Sequence, residues 1–463
     1  MKFQRWMLGI MLGNTIAVTG VHAADVAPGI LGKNEWLFYR HEVTDASDAA
    51  KTNITMDLIQ RFNKVLAANH IAMGVAMVPL KMRIYAEYLP DDFRMNDYMA
   101  SNNERMTKAL RNGGVHVLDI HTGFLNSAKR TSDTPLFFRL DQNWSPTGVL
   151  SAAETVKSAI LETPDLKKAL DATPEEEFKV VVGTRKRLSK ARDLIQFLPA
   201  NTTSFVPEQV APVTVTRVQP PRMDPTGRRQ WSGIALNGSG FSHDWTGFAD
   251  ALRYTLQRDV FSIGVGTDQG SWVGMESYLR SDAFQSKPPR MLIWEMPERD
   301  MRAPPDYKYR DARYQIDNTD WLLRVSALVQ TECKPAAVTT KLANLGLGAN
   351  AGNWKGSEIS TGPVSDTDFV EVSFDRPLDK MEYLVLNTIN AGSKTMVLEG
   401  PGAGSATRRL ALAVPGDDAV HAVKTPLTSL GAGSTRLRIF PGQSSGFSLK
   451  GIQVCRQPAD LLQ

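Results

Sequence analysis

The feature that most constrains the fold is a regular alternation between residue 32 and about residue 330. Short apolar runs, long enough for buried strands, are followed by segments whose apolar residues recur at helical spacing. Such alternation is typical of a mostly parallel sheet with helices on both faces, so we predict an α/β fold. The predicted strands cover residues 36–39, 72–78, 115–118, 234–236, 260–263 and 291–294, and the predicted helices cover residues 56–69, 97–111, 146–161 and 245–257.

Two parts of the chain depart from this alternation. Residues 183–230 are rich in proline and are predicted to form an insertion or long connection, with an edge hairpin as one form it could take. After Cys333, Gly and Ser become frequent and short alternating runs replace the helices, which is the pattern of a small antiparallel β-sandwich. We therefore predict an α/β domain over residues 24–330 and a β-sandwich over residues 331–463. The strand candidates of the sandwich are residues 370–374, 383–386, 395–398, 410–413, 437–440 and 447–454.

Residues 1–23 have the layout of a secretory signal peptide. Two basic residues precede an apolar stretch, and a cleavage site of the Ala-x-Ala type ends at Ala23. We expect this segment to be removed on export, while an uncleaved membrane anchor stays the alternative. No later segment is apolar enough to span a membrane.

Charge and cysteine content limit the partners and the compartment. The formal net charge of +4 falls to +2 when the signal segment, which carries Lys2 and Arg5, is removed. This small net charge does not indicate attraction to nucleic acid or to a membrane. Cys333 and Cys455 are the two cysteines. In an exported protein a disulfide between them is expected, with two free buried thiols as the alternative.

A polar loop inside residues 136–153 carries the most informative motif. The segment predicts a strand, a polar turn and a helix opened by Pro146, and the turn holds Asp141, Asn143 and Trp144. Combined with several other segments, this loop resembles the AlgX and AlgJ group of alginate O-acetyltransferases, and AlgX most closely. The supporting segments are residues 34–38, residues 78–81 with Tyr85, Leu89 and Pro90, residues 234–252, residues 288–295, and the cysteine pair around the terminal sandwich.

The resemblance implies an SGNH hydrolase-like fold and a set of catalytic positions. In such enzymes a turn Gly-[Thr/Asp]-Ser supplies a nucleophile, and a loop Asp-x-His-Trp-[Ser/Thr]-Pro supplies the base and its partner. Here Asp141 is retained, Asn143 stands at the histidine position, and Gly240 stands at the serine position. Asn has no titratable nitrogen and Gly has no oxygen, so the covalent route loses both base and nucleophile.

Neighbouring residues leave some alternatives open. Ser239 lies one position early and Ser242 two positions late, and a one-residue slip on a tight turn aims a side chain elsewhere. His243 could serve as a base if a helix N-terminus favours its neutral form, or it could be a surface or capping residue. Asp141 could accept backbone N–H groups, and Asn143 or Ser145 could cap the helix.

Candidate ligand-binding residues follow from position and chemistry. Because open α/β sheets bind ligands beyond the carboxyl ends of their strands, Lys81, Arg139 and Arg299 could meet a uronate carboxylate. Trp144, Trp245 and Trp272 could stack on sugar rings. Solvated charges and core tryptophans are the alternative interpretations. No metal-ligand spacing and no nucleotide-binding motif is present in the sequence, so we predict neither metal nor cofactor.

Two hypotheses about function follow. The first is a periplasmic protein of alginate-like exopolysaccharide biosynthesis and O-acetylation, with a carbohydrate-binding sandwich and weak or absent serine catalysis. The second is a non-catalytic protein that holds an acidic polysaccharide or scaffolds an export complex with other proteins. A hydrolase that uses Ser242 and His243 is a third hypothesis, disfavoured because adjacent residues cannot easily meet as nucleophile and base.

Overall fold

The computed structural model describes residues 28–199, 202, 205–221, 223, 231–264, 269–343, 353–355, 358–401, 407–430 and 433–463. The predicted signal peptide lies outside these residues. No helix within the described ranges is long and apolar enough to cross a membrane.

A five-stranded parallel sheet with the order β10-β9-β11-β3-β4 forms the centre of the α/β region. Every residue of β11 is buried, as expected for a strand covered on both faces. The strands of this region are β1 (Gly29–Leu31), β2 (Leu37–Tyr39), β3 (Ala72–Val78), β4 (His116–Val117), β5 (Phe178–Val182), β6 (Arg187–Leu188), β7 (Gln209–Val210), β8 (Val213–Arg217), β9 (Ile234–Gly238), β10 (Val260–Gly264) and β11 (Met291–Pro297).

Helices cover both faces of this sheet, which confirms the predicted class. One apolar core packs under α4 to α7, and a second packs under α1, α3, α8 and α10. The helices are α1 (Ala49–Ala68), α2 (Lys81–Ile84), α3 (Asp97–Asn112), α4 (Ile120–Asn126), α5 (Pro146–Glu162), α6 (Pro164–Asp171), α7 (Phe248–Leu256), α8 (Gly270–Arg280), α9 (Asp282–Ser286) and α10 (Asn318–Val329).

Two predicted strands are not part of the parallel sheet. Residues 36–39 contribute β2, which pairs with β1 in a separate antiparallel hairpin. The predicted strand before the Asp141 loop is wrong as well, because that segment makes a single bridge between Phe137 and Trp144. An apolar run alone does not distinguish a central strand from a buried loop, since both need the same side chains inside.

The proline-rich segment contributes three short strands, β6, β7 and β8, and a short turn. β5 pairs with β8, and β6 pairs with β7, which matches the edge hairpin considered from the sequence. A 3-10 segment, Asp193–Phe197, follows β6 and packs Leu194 against Leu37 and Leu140. The segment is therefore anchored on the α/β region beside the Asp141 loop.

The C-terminal region is an antiparallel β-sandwich, as predicted. Its two sheets have the orders β12-β15-β20-β17-β18 and β13-β14-β21-β16-β19, and they enclose an apolar core. The strands are β12 (Thr340–Ala343), β13 (Asn353–Lys355), β14 (Glu358–Ser360), β15 (Val370–Phe374), β16 (Glu382–Ala391), β17 (Thr395–Pro401), β18 (Thr407–Ala413), β19 (His421–Pro426), β20 (Arg436–Phe440) and β21 (Gly446–Arg456).

A disulfide between Cys333 and Cys455 confirms the predicted pairing. Cys455 lies on β21, but Cys333 lies in the connection after α10, so the bond does not join the first and last strands. The chain beyond β21 returns to the α/β region. There Leu461 joins the apolar core under α1 and α10, and Gln457 Nε2 donates to the carbonyl of Leu323 at 2.7 Å.

Candidate active site

The turn after β9 holds Gly240, the residue at the predicted nucleophile position. Gly240 begins a 3-10 turn, Gly240–Ser242, and Ser239 caps it by accepting a hydrogen bond from the Phe241 N–H at 3.2 Å. The Ser239 hydroxyl lies 3.0 Å from both carboxyl oxygens of Glu295. Ser239 is buried, whereas Gly240 is partly exposed at the turn. The Ser239 hydroxyl therefore points into the protein, toward Glu295, and not toward solvent.

Glu295, near the carboxyl end of β11, fixes this turn. Its side chain is fully buried and accepts hydrogen bonds from the Ser239 N–H and the Ser242 hydroxyl, both at 2.8 Å. Burial raises the pKa of Glu295 to about 7, although these hydrogen bonds act in the opposite direction. A Cβ at Gly238 would lie 2.2 Å from the Ser242 hydroxyl oxygen, so the cluster leaves no room for a side chain there.

The Asp141 loop brings together Asp141 and Asn143, the residues at the predicted acid and base positions. Asp141 Oδ1 accepts hydrogen bonds from the Asn143 backbone N–H at 2.9 Å and from Asn143 Nδ2 at 2.8 Å. The amide nitrogen of Asn143 thus donates to the carboxylate as an imidazole N–H would. The amide group that remains has no basic nitrogen. The site can orient and polarise a bound group, but Asn143 cannot remove a proton.

The helix after this loop begins where the sequence predicts. Ser145 caps α5 by accepting from the Gly148 N–H at 3.2 Å, and Pro146 occupies the first turn. A Cβ at Gly148 would lie 1.9 Å from the Leu136 carbonyl oxygen, so this close approach requires glycine. The capping alternative for Ser145 is confirmed, and Asp141 also accepts backbone N–H groups.

Lys81 is buried and stabilises the Asp141 loop through hydrogen bonds to backbone carbonyls. Its ammonium donates to the carbonyls of Leu37 at 2.6 Å, Arg139 at 2.9 Å and Asp141 at 2.9 Å. Burial lowers the pKa of Lys81 to about 8. These bonds use all three N–H donors of the lysine. This geometry contradicts the predicted role of Lys81 in binding a uronate and makes it a structural cation.

Asp193 and Arg299 close the other side of the loop. Asp193 donates its N–H to Asp141 Oδ2 at 3.0 Å and accepts from Gln142 Nε2 at 2.8 Å. Burial, and secondly the charge of Asp141, raises the pKa of Asp193 to about 6. Arg299 Nη1 donates to Gln142 Oε1 at 2.7 Å, and its guanidinium lies 5.8 Å from the ring centre of Phe241. Arg299 therefore links the Asp141 loop to the turn after β9.

The predicted tryptophans differ in their surroundings. Trp144 is 2% exposed and packs against Phe241 and Phe248, and Trp272 is equally buried with its N–H donated to the Ala303 carbonyl. Both are core residues, which contradicts a stacking role. Trp245 is 62% exposed on a 3-10 turn, Asp244–Thr246, directly after the Gly240 turn.

His243 is exposed at the start of that same turn and makes no capping hydrogen bond through its side chain. It matches the surface alternative. Among the described residues, no group of His, Cys, Asp and Glu side chains could hold a metal ion.

Sequence reasoning missed Glu295 and Asp193. A signal existed for Glu295, because a carboxyl group within a wholly apolar strand must find buried partners. Asp193 carried no signal. It reaches the site only because an irregular segment folds back over the Asp141 loop.

Comparison with known proteins agrees with this geometry. A family model described as the SGNH hydrolase-like domain of the acetyltransferase AlgX matches residues 30–298. The chain belongs to this family. It is 29% identical over 315 residues to the probable alginate O-acetylase AlgJ of Azotobacter vinelandii, which covers 65% of this chain and 75% of that protein.

One relative named AlgX matches a longer part of the chain. The alginate biosynthesis protein AlgX of Pseudomonas putida is 23% identical over 390 residues, which covers 80% of this chain and 75% of that protein. The solved structure of Pseudomonas aeruginosa AlgX covers 93% of this chain and 94% of its own, with a TM-score of 0.56 and 14% identity. The O-acetyltransferase domain of Pseudomonas putida AlgJ covers 66% and 99%, with a TM-score of 0.52 and 24% identity. These structures support the fold.

Proposed function

We propose that this chain is a periplasmic protein of alginate-like exopolysaccharide biosynthesis and O-acetylation that holds the acidic polymer without serine acyl transfer. The observation that carries the second part is the orientation of Ser239. Its hydroxyl is bound to the buried Glu295, while Gly240 and Asn143 occupy the positions of nucleophile and base. Its companions would be other proteins of the acetylation and export complex, in line with the family to which the chain belongs.

Two features support binding of a uronate polymer. Trp245 presents an exposed aromatic face beside the Gly240 turn. A cavity of about 580 Å³ lies against the outer side of the Asp141 loop, and its wall includes Lys129, Arg139, Trp36 and Tyr88. Cationic side chains beside aromatic rings suit a sugar that carries a carboxylate. The division into an α/β domain over residues 24–330 and a carbohydrate-binding sandwich over residues 331–463 belongs to the same proposal.

The catalytic half of the proposal is tested with an activated acetyl ester. After incubation of the full exported chain with the ester, peptide mass spectrometry should find no acetyl group on Ser239 or Ser242. A serine hydrolase that forms an acyl-enzyme with the same ester is the positive control. An adduct on Ser239 that disappears in Ser239→Ala would refute the proposal of silent catalysis.

The binding half is tested by titration with a polyuronate and with a neutral glucan. The polyuronate should bind and the glucan should not. Trp245→Ala should weaken binding on the order of tenfold, as expected for an exposed aromatic anchor. The matched control is Phe261→Ala, because Phe261 is also exposed but lies near the amino end of its strand, away from the site. Equal effects of the two substitutions would remove Trp245 from the binding surface.

A further inference from the structure

A concentrated positive charge lies in the segment between β5 and the Asp193 turn. Residues 181–192 contain Arg185, Lys186, Arg187, Lys190 and Arg192 and no acidic residue. These five positive charges exceed the net charge of +4 of the whole chain, so the remainder is slightly negative. The small net charge of the protein therefore conceals one strongly basic element, which we call the basic ribbon.

The charges of the basic ribbon face solvent. All five of its Lys and Arg residues are exposed. Lys186 Nζ forms an ion pair with Asp133 Oδ2 at 2.6 Å. Among the described residues, the other four cations make no ion pair with a carboxylate. An exposed group of unpaired like charges attracts a polyanion over a distance of about a Debye length.

The same segment carries three exposed aliphatic side chains. Val181 is 59% exposed, Val182 is 54% exposed and Leu188 is 63% exposed. The two aromatic residues nearest in sequence, Phe178 and Phe197, are buried or half-buried. The basic ribbon thus combines cations with aliphatic groups and offers no exposed aromatic face to a sugar ring.

The basic ribbon is thin but firmly attached. It is built from the end of β5, paired with β8, and from β6, paired with β7, and β5 and β8 contact α7. The chain that leaves it enters the Asp193 turn, where Leu194 packs against Leu37 and Leu140. A surface bound by the basic ribbon would therefore be held at a fixed position relative to the Asp141 loop.

We propose that the basic ribbon docks the protein on the surface of an anionic lipid bilayer. Arg and Lys would contact lipid phosphates, and Val181 and Leu188 would enter the boundary between headgroups and acyl chains. Charges also protect exposed strand edges from pairing with other chains, but that role does not call for a single sign or for exposed aliphatic residues. An acidic polysaccharide would use the charges and leave the aliphatic groups in water.

The test is flotation of the full exported chain with lipid vesicles. It should float with vesicles of phosphatidylcholine mixed with phosphatidylglycerol, and not with phosphatidylcholine alone. Binding should be lost when salt is raised to about 1 M, where the screening length falls to about 3 Å. The triple variant Arg185→Gln, Arg187→Gln, Lys190→Gln should bind mixed vesicles on the order of 100-fold more weakly. Val181→Ser with Leu188→Ser should weaken binding about tenfold at unchanged charge.

A matched control removes the same charge elsewhere. Lys64→Gln, Lys157→Gln and Lys168→Gln neutralise three exposed lysines on α1, α5 and α6 and should leave vesicle binding unchanged. Circular dichroism should show that every variant is folded. Two results would overturn the proposal: equal loss of binding in the control, or failure of the parent protein to float. If instead a soluble polyuronate binds the parent, and this binding is lost in the triple variant, the basic ribbon binds the polymer and not a lipid surface.

Discussion

At the scale of single residues, the candidate site depends on which chemical groups Asn143 and Ser239 offer and on where these groups point. Asn143 keeps the hydrogen bond to Asp141 but brings no basic nitrogen. Ser239 keeps a hydroxyl but directs it to Glu295. The carboxyl group of Glu295 therefore has a structural task, because it accepts the N–H and hydroxyl groups that fix the turn.

Burial of Glu295 predicts a pH dependence of stability, since it outweighs these hydrogen bonds and raises the pKa of the carboxyl group. Because the pKa of Glu295 is raised from 4.5 to about 7, the fold favours the protonated form. The stabilising contribution is fully present below about pH 4.5 and is lost as the pH rises through about 7. Between these limits the free energy of unfolding should fall on the order of 3 kcal/mol through this group.

Glu295→Gln tests this expectation, because glutamine resembles the protonated acid and does not ionise. Urea unfolding should show the parent losing stability relative to Glu295→Gln between about pH 5 and about pH 8. Glu295→Ala is the control. It leaves the buried donors of Ser239 and Ser242 without a partner, so it should be destabilised at about pH 5 and at about pH 8. Parallel pH curves for the parent and Glu295→Gln would show that Glu295 does not titrate in this range.

At the scale of elements, two junctions carry the residues at the predicted nucleophile, base and acid positions. β9 leads into the Gly240 turn, and the Asp141 loop leads into a capped α5. Gly240 is not among the residues with positive φ, so its backbone conformation accepts a side chain. The backbone at Gly240 therefore tolerates a serine, and the loop already holds the side chain at position 143 against Asp141.

Restoring both groups should therefore restore nucleophilic chemistry. The double variant Gly240→Ser, Asn143→His should form an acyl adduct on the new serine with an activated ester. Its rate should exceed that of the parent on the order of 100-fold, since a positioned general base contributes at least this much. Stopped-flow release of the ester's leaving group measures the rate, and peptide mass spectrometry locates the adduct.

The control for this gain of function is Gly240→Ala, Asn143→His. It carries the new imidazole and a side chain on the turn but no attacking oxygen, so it should react no faster than the parent. An adduct on Ser239 in the double variant would mean that the turn, and with it the hydroxyl bound to Glu295, rearranges easily.

At the scale of the whole molecule, the sandwich and the α/β region are held together by packing, a hydrogen bond and a disulfide as well as by the chain that connects them. Ala327 on α10 packs with Tyr383, Val385 and Cys455 of the sandwich. Lys424 Nζ donates to the Leu328 carbonyl at 3.1 Å, near the end of α10. Burial lowers the pKa of Lys424 to about 8. The disulfide closes this junction covalently.

Removing the disulfide should destabilise the protein as a whole. Its cysteines are separated by 122 residues, and the chain-entropy model then gives about 4 to 5 kcal/mol of lost unfolding free energy in Cys333→Ser, Cys455→Ser. Denaturant unfolding with and without reductant measures this effect. Reductant should destabilise the parent and leave the double variant unchanged, and a parent that is indifferent to reductant would contradict the expectation.

The sequence alone determined the class of the fold, because strands buried on both faces must be apolar and helices on a sheet must be amphipathic. It also determined that position 240 carries no side-chain oxygen and position 143 no basic nitrogen, since no folding can supply them. Only the tertiary structure decided where the remaining groups point. Ser239 meets Glu295 across 56 residues of chain, and Lys81 meets three carbonyls of other segments. Burial and direction of a side chain arise from contacts between distant segments, and local spacing does not encode them.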